Sequence, residues 1–387
     1  MEPLVSPIRA YAWGSRTAIA TLQGRPVPSP GPEAELWLGA HPGDPSALDR
    51  PAGRVSLADA VRAAPAELLG TDTAERFGPR LPYLLKFLAA EQPLSLQAHP
   101  DAEQARAGHA AEEAAGAAER NYADPFHKPE LLVAVSPFEA LCGFRAPGES
   151  AELLDALGVV ALKPVVEQLH AGDLAGAARS LLTWPGAERP AVVRAVAQAA
   201  GSATDGPFAT EYAVARRLAD AYPDDIGVVV SLLLNVVTLA PGEAIWMPAG
   251  NLHAYLRGSG VEIMAASDNV LRGGLTPKRV DVPELLRVLR FEPLADPVVR
   301  AGHVGPGVVT WPTPVAEFAL YRAEVAGETA SVPAAGPRIA LCLAGEVTVD
   351  DGDPVRLRAG EAAFGAAVDR PLSVSGEGTV FVAGTAA

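Results

Sequence analysis

Four residues could together hold a metal ion, and they lie in three separate stretches of the chain. His253 sits in PGEAIWMPAGNLHAYL, where Gly242 lets the chain turn before an apolar run and Pro248 with Gly250 shapes a loop ahead of the histidine. The local pattern is strand, tight turn, strand, with one imidazole presented at the start of the second strand. A lone histidine on a strand is more often structural than a ligand, and a catalytic metal needs about three protein ligands plus an open position. The other six histidines stand at 41, 99, 109, 127, 170 and 303. His109 and His170 fall in helical, polar-flanked segments and His303 in a tail loop, which leaves His41, His99 and His127. In LPYLLKFLAAEQPLSLQAHPD a buried strand ends in Gln97 and His99, two apart and so on one strand face. A carboxamide oxygen and an imidazole aimed into one cavity suit a metal, although such pairs also arise as ordinary strand-face hydrogen bonding. Glu130, after His127 and Lys128 in HKPE, offers a carboxylate. It serves equally well as half of a Lys–Glu surface pair.

A second constellation follows His253. The stretch VEIMAASDNVLRGGLTPKR brings Glu262, Asp268, Asn269, Arg272, Lys278 and Arg279 close together in sequence. Arginine offers a planar fork for phosphate or for charge developing on oxygen, and lysine a point charge. Gly273 and Gly274 permit close backbone approach to a ligand. Read alone, the stretch is equally a solvated mixed-charge loop. It gains weight from the overall charge: 31 basic against 46 acidic residues give −15. Such a field repels nucleic acid and anionic membranes, so an anionic substrate needs a local basic cluster. No Walker-type or dinucleotide-type glycine loop occurs, which argues against a nucleotide phosphate donor.

The 387 residues are enough for two or three cores. With 49% hydrophobic and 20% charged residues the composition is that of an ordinary soluble protein. Cys142 and Cys342 alone supply neither a disulfide framework nor a thiolate zinc site, and two buried free thiols in a reducing compartment are expected. The N-terminus lacks an apolar signal region, and the longest apolar stretch, 226–240, is too short to span a bilayer, so a cytoplasmic protein is expected.

The elements that must position these residues are mainly strands. From residue 1 to about 96, short apolar runs alternate with turn signals; 34–38 and 82–89 are strand-like, the second buried on both faces. Residues 100–120 are rich in Ala and Glu and read as a helix capped by Asp101. Between Glu149 and Tyr222 apolar residues recur at helical spacing, separated by Gly158, Gly172 and Pro185, which predicts several short helices. From Ile226 the period returns to that of strands, 283–289 reads as a short helix, and the tail from about 291 is β-like. There is no solenoid repeat.

The spacing G-x5-P-x-G-x2-H around His253 is similar to the second cupin motif, and cupins are double-sheet barrels that hold metal at their mouths. Taken in order over about 1–290, YAWGS at 11–15, AELWLGAHP at 34–42, KFLAAEQPLSLQAHPD at 86–101, HKPE at 127–130, PAGNLHAYLRG and SDNVLRGGLTPK resemble the type I phosphomannose isomerases. Two departures stand out: Phe126 where the family usually has Asn, and Gly273 where Ala is common. The resemblance implies Zn2+ on Gln97, His99, Glu130 and His253, and a catalytic Arg272. It implies further roles for Lys128, Asp268 and Glu262, and substrate contacts from Trp13, Lys86, Ser95, His127, Tyr255, Lys278 and Arg279, with phosphate on Lys86, Ser95, Lys278 and Arg279. The implied fold is mainly β with an α-helical insert: a catalytic cupin over 1–148 and 223–290, a helical domain over 149–222, and a C-terminal jelly roll over 291–387. In the tail, Ala366 and Pro371 stand where a cupin would place Pro and His, so the second barrel is expected not to bind metal.

The activity implied is interconversion of mannose 6-phosphate and fructose 6-phosphate. Arg272 would stabilise enediolate-like charge, and Asp268, Glu262, His127 and Lys128 remain open as the base. Two other classes fit the residues less well. A non-catalytic sugar-binding cupin has no need of Arg272, and a cupin iron oxidoreductase would favour histidine over Gln97. The partner expected is a small sugar phosphate, without nucleic acid or membrane, acting on a monomer.

Overall fold

The computed structural model describes residues 1–203 and 205–386. Two large antiparallel sheets dominate, each of 11 strands. One carries the candidate ligands, and its organising element is the long strand His253–Ala265. Its second half pairs with Tyr83–Ala90 on one side and Glu130–Ala134 on the other. Its first half pairs instead with Leu96–Ala98 and Phe138–Phe144. The strand thus passes from one layer of hydrogen bonding to the other, as strands do at the corner of a two-layered β structure. Gly258, at φ +124°, marks the crossing, and a Cβ there would lie 2.7 Å from the Pro137 carbonyl oxygen. Only glycine fits a bend that brings two backbones this close.

The other sheet is built largely from the tail, around the long strands Ala335–Asp350 and Leu372–Thr385. The sequence reading splits these into shorter runs. It also assigns residues 1–148 wholly to the catalytic part, whereas Glu2–Val5 pairs with Ala362–Gly365 and, through Ala47–Arg50, brings Gly53–Ser56 into the tail's sheet. Side chains from both sheets share one core: Leu36, Tyr83, Leu85 and Ile263 pack with Trp311, Phe318, Phe364 and Phe381. The Tyr83 hydroxyl donates to the Pro337 carbonyl at 2.7 Å, and the Trp311 indole N–H to Gly242 at 3.1 Å. His303 lies on the short strand Gly302–Gly305 rather than in a loop.

Helices Pro147–Ala156, Lys163–His170, Leu174–Leu182, Arg189–Ser202 and Ala209–Ala221 fill the block expected to be helical. Their apolar faces join one core with Leu96, Leu141, Leu252 and Leu271, directly behind the candidate ligands. Asp101 caps Ala102–Ala114 through a capping box with Gln104. The helix of 283–289 spans Val282–Val288. Three short helices, Leu57–Ala63, Pro65–Leu69 and Thr71–Phe77, arise where the sequence reads as short apolar runs between turn signals. Gly227–Val230 is also helical, so the run of valines there opens as a buried helix before the strand Leu234–Leu239 begins. Both cysteines are buried and unbonded. No helix among the described residues is long and apolar enough to cross a membrane.

Candidate metal centre and active site

Two rows of cross-strand neighbours build the site. In the first, Gln97 is paired across the ladders with His253 on one side and Arg272 on the other. Residues directly opposite one another share a sheet face, with Cβ atoms about 4.5–5.5 Å apart. The register therefore sets a metal-type histidine, a carboxamide and an arginine side by side. In the second row Lys86 faces Trp37 and Glu262. Gln97 is not at the end of the strand Tyr83–Ala90, as its sequence suggests. A turn at 91–95 intervenes, and Leu96–Ala98 is a separate strand whose last residue precedes His99.

His99, Glu130 and His253 are buried, and their ligand atoms all lie within 4.8 Å of one another. The His99 Nδ1–H donates to the Asn269 carbonyl at 2.7 Å and the His253 Nδ1–H to Asn251 at 3.1 Å. Both Nε2 lone pairs therefore face inward. His99 Nε2 stands 3.4 Å from Glu130 Oε1, and His253 Nε2 stands 3.3 Å from Glu130 Oε2. Both Nε2 atoms and Glu130 Oε2 are buried without a hydrogen-bond partner. Orphaned buried acceptors are costly unless something satisfies them. The spacing matches the edge of a tetrahedron, about 3.3 Å for bonds of about 2.0–2.1 Å, so the group fits a zinc ion. Burial, with the Lys128 charge next, pushes the His99 imidazole down to about 4, which keeps it neutral. Glu130 is held well below the usual carboxylate range: burial opposes ionisation, but Lys128 and the two histidines outweigh it.

The centre opens into a cavity of about 510 Å3 lined by Trp13, Lys86, Ser95, Gln97, Lys128, Glu130, Tyr255, Glu262, Asp268, Arg272 and Lys278. That volume suits a sugar phosphate. Lys86 Nζ reaches Glu262 Oε2 at 2.9 Å and Glu35 Oε1 at 3.5 Å. Burial alone would neutralise its ammonium, yet Glu262, Glu35 and Glu130 raise it above the ordinary lysine value. The Tyr255 hydroxyl donates to Glu262 Oε1 at 2.7 Å, so both oxygens of that carboxylate are engaged. Glu262 is itself raised, by burial first, with Lys86 opposing. Arg272 is half-buried, and no carboxylate pairs with it among the described residues.

His127 and Arg279 lie elsewhere. His127 Nε2 meets Glu317 at 2.7 Å, and Arg279 turns to Asp281 at 2.8 Å and Glu119 at 3.4 Å. Neither lines the cavity. The sequence reading also missed partners. Glu35 holds both Lys86 and the Trp37 indole N–H, and Asn269 ties His99 to the loop 123–126 through its side-chain amide. His41 had no role beyond a possible ligand; its Nδ1 accepts from the Gly43 N–H, so its Nε2–H faces Asp268 Oδ1 at 3.2 Å. Asn269 carried a signal, since buried asparagines in loops usually serve backbone groups. Glu35 carried none.

The geometry has counterparts of known identity. Residues 1–147 match the model for the catalytic domain of phosphomannose isomerase type I. The mannose-6-phosphate isomerase of Escherichia coli (strain K12) is 40% identical over 98% of this chain and 98% of its own. This chain belongs to the type I phosphomannose isomerase family. The human mannose-6-phosphate isomerase is 33% identical over 84% of this chain and 82% of its own. Among solved structures, a mutant of the Salmonella typhimurium phosphomannose isomerase superposes with TM-score 0.92 at 38% identity, covering 100% of this chain and 99% of that one. A zinc-bound mannose 6-phosphate isomerase gives 0.91 at 38% identity with the same coverage. The Gly250 loop is tied to the site on both sides: its N–H donates to the His99 carbonyl at 2.8 Å, and its carbonyl accepts the Arg290 N–H at 3.0 Å. Gly250 has φ +77°, and a Cβ would sit 2.9 Å from the Val288 oxygen. Gly250→Ala should cost about 1–3 kcal/mol through strain, read as a thermal midpoint lowered by a few degrees in the zinc-loaded protein.

Proposed function

We propose that this chain interconverts mannose 6-phosphate and fructose 6-phosphate, with Zn2+ held by Gln97, His99, Glu130 and His253. The observation that carries this reading is the row Arg272–Gln97–His253, which sets an unpaired cation beside the metal group in one cavity. When bound, zinc supplies Lewis-acid polarisation of the sugar's oxygens. The protein groups do the rest. Lys278 and Ser95 bind the phosphate at the cavity mouth, Trp13 lines one wall, and Lys86, held by Glu35 and Glu262, keeps a charge beside the sugar. Arg272 stabilises the negative charge that develops as the C2 proton leaves. Asp268 takes and returns that proton, its carboxylate oriented by His41, while Lys128 balances Glu130. Metal analysis with a coupled assay on mannose 6-phosphate tests the reading; zinc-loaded protein without turnover would sink it. Solvent exchange of deuterium from C2 supports proton transfer, and complete retention would shift the assignment to a hydride shift.

Asp268 gives the reading a pH signature. Its carboxyl is lowered from 3.8, chiefly by the His41 hydrogen bond, so it stays ionised through neutral pH. Activity that needs this carboxylate is flat there and is lost as pH falls through the lowered value. Replacing His41 by Ala removes the largest cause of the lowering. The acid limb of kcat should then move to higher pH, measured on zinc-loaded variants. An unmoved limb would remove Asp268 from the proton transfer.

We also propose that the helical block 149–222 backs the site and that the C-terminal unit, completed by the strands within 2–56, stiffens the catalytic part. On this reading the enzyme acts in the cytoplasm as a monomer.

A further inference from the structure

The segment after Arg272 has open space on both of its faces. Thr276, Pro277 and Lys278 line the metal-bearing cavity of about 510 Å3 in front and a second cavity of about 700 Å3 behind. Pro277 and Lys278 are exposed. Packing therefore does little to fix where Lys278 stands. Two anchors remain. Leu275 is buried at φ +55°, the single non-glycine residue with positive φ among those described, and its side chain sits in the core behind the helices. A leucine holds that strained backbone only where its surroundings impose it. The second anchor is Asp225. Its Oδ2 accepts the Thr276 N–H at 3.1 Å and its Oδ1 the Gly227 N–H at 2.7 Å. At this point the two backbones touch: a Cβ on Gly274 would lie 2.7 Å from Asp225 Oδ1 and 2.8 Å from the Gly227 Cα.

We propose that Asp225 is a positioning residue for substrate binding, setting the place of Lys278 through the Thr276 backbone. Asp225 follows the last helix of the helical block and lies outside the lining of the metal-bearing cavity. It joins that block to the loop that meets the phosphate. This assignment rests on the reading that Lys278 binds the substrate's phosphate. With the anchor cut, the loop samples positions between the two cavities, and Lys278 no longer stands where the phosphate arrives. The chemical centre at Arg272 and the metal is unaffected, so binding is lost rather than turnover.

The test is a cycle of zinc-loaded wild type, Asp225→Ala, Lys278→Ala and the double variant. KM and kcat for mannose 6-phosphate are measured, together with competitive inhibition by inorganic phosphate. Wild-type turnover checks the reading of the enzyme independently. We expect Asp225→Ala to raise KM and the phosphate inhibition constant about tenfold, the scale of one charge-assisted hydrogen bond. Its kcat should stay within about threefold of wild type, and Asp225→Ala should add little once Lys278 is already alanine. Asp225→Asn, which keeps one carbonyl acceptor, should fall between wild type and alanine, and it carries the test if the alanine variant does not fold. Unchanged KM, full additivity with Lys278→Ala, or a fall in kcat alone would overturn the assignment.

Discussion

Arg272→Ala should lower kcat by about a thousandfold while the protein keeps its zinc and its KM. The magnitude is that of removing one preorganised charge from a site where negative charge develops on oxygen, about 10²–10³. The ground for expecting the upper end is electrostatic. Arg272 is half-buried and burial lowers its affinity for a proton, yet among the described residues no carboxylate neutralises it. The two buried lysines of the cavity have partners: Lys86 has Glu262 and Glu35, and Lys128 has Glu130. A charge left unpaired in a partly desolvated cavity is expensive unless the reaction uses it. The substitution should spare the metal, since Arg272 neighbours Gln97 through the ladder without joining the cluster of His99, Glu130 and His253. Arg272→Lys should recover only part of the loss, because an ammonium lacks the planar fork. Kinetics with metal analysis on the same samples decide the matter; a kcat within tenfold of wild type would move the charge-stabilising role elsewhere.

What could be read from residues alone follows the range of the physics involved. The loop before His253 was legible because glycine and proline dictate backbone locally: Gly242 and Gly250 do adopt positive φ. The helical block was legible because a 3.6-residue period over some 70 positions is a long signal. The helices within 57–77 were not, since segments of 7, 5 and 7 residues are too short to display a period and are punctuated by Pro65 and Gly70. Gly227–Val230 defeated propensity outright: three successive valines favour strand, and burial in the helical core overrides them.

The site divides the same way. Gln97 and His99 announced themselves by spacing, but the strand that carries them is set apart by a turn that their apolar lead-in conceals. The row Arg272–Gln97–His253 is a matter of register between three strands, which no local pattern encodes. The same holds for Glu35 against Lys86 and for Asp225 against Thr276, partners about 50 positions apart whose meeting only the tertiary fold decides. His127 and Arg279 misled for the converse reason. Both sit beside true cavity residues in sequence, yet Glu317 and Asp281 draw them away.

Glu130→Gln should abolish metal binding and activity together. Among the described residues the carboxylate is the only anion in direct reach of both imidazoles, with separations of 3.3 and 3.4 Å, and it is the partner of Lys128. An amide of the same shape supplies no charge to a divalent ion, and its N–H2 would turn a donor toward one of two Nε2 lone pairs. Lys128, itself buried, would lose its counter-charge, and breaking such a pair costs about 3–5 kcal/mol. Zinc content should fall from about one per chain to near zero, and kcat by more than about 10³. Thermal unfolding separates the two contributions. Wild type stripped by a chelator loses only the stabilisation that binding supplies, and added zinc restores it; Glu130→Gln should melt below that stripped protein and gain nothing from zinc. Full zinc in the glutamine variant would show that these three side chains do not form the metal centre.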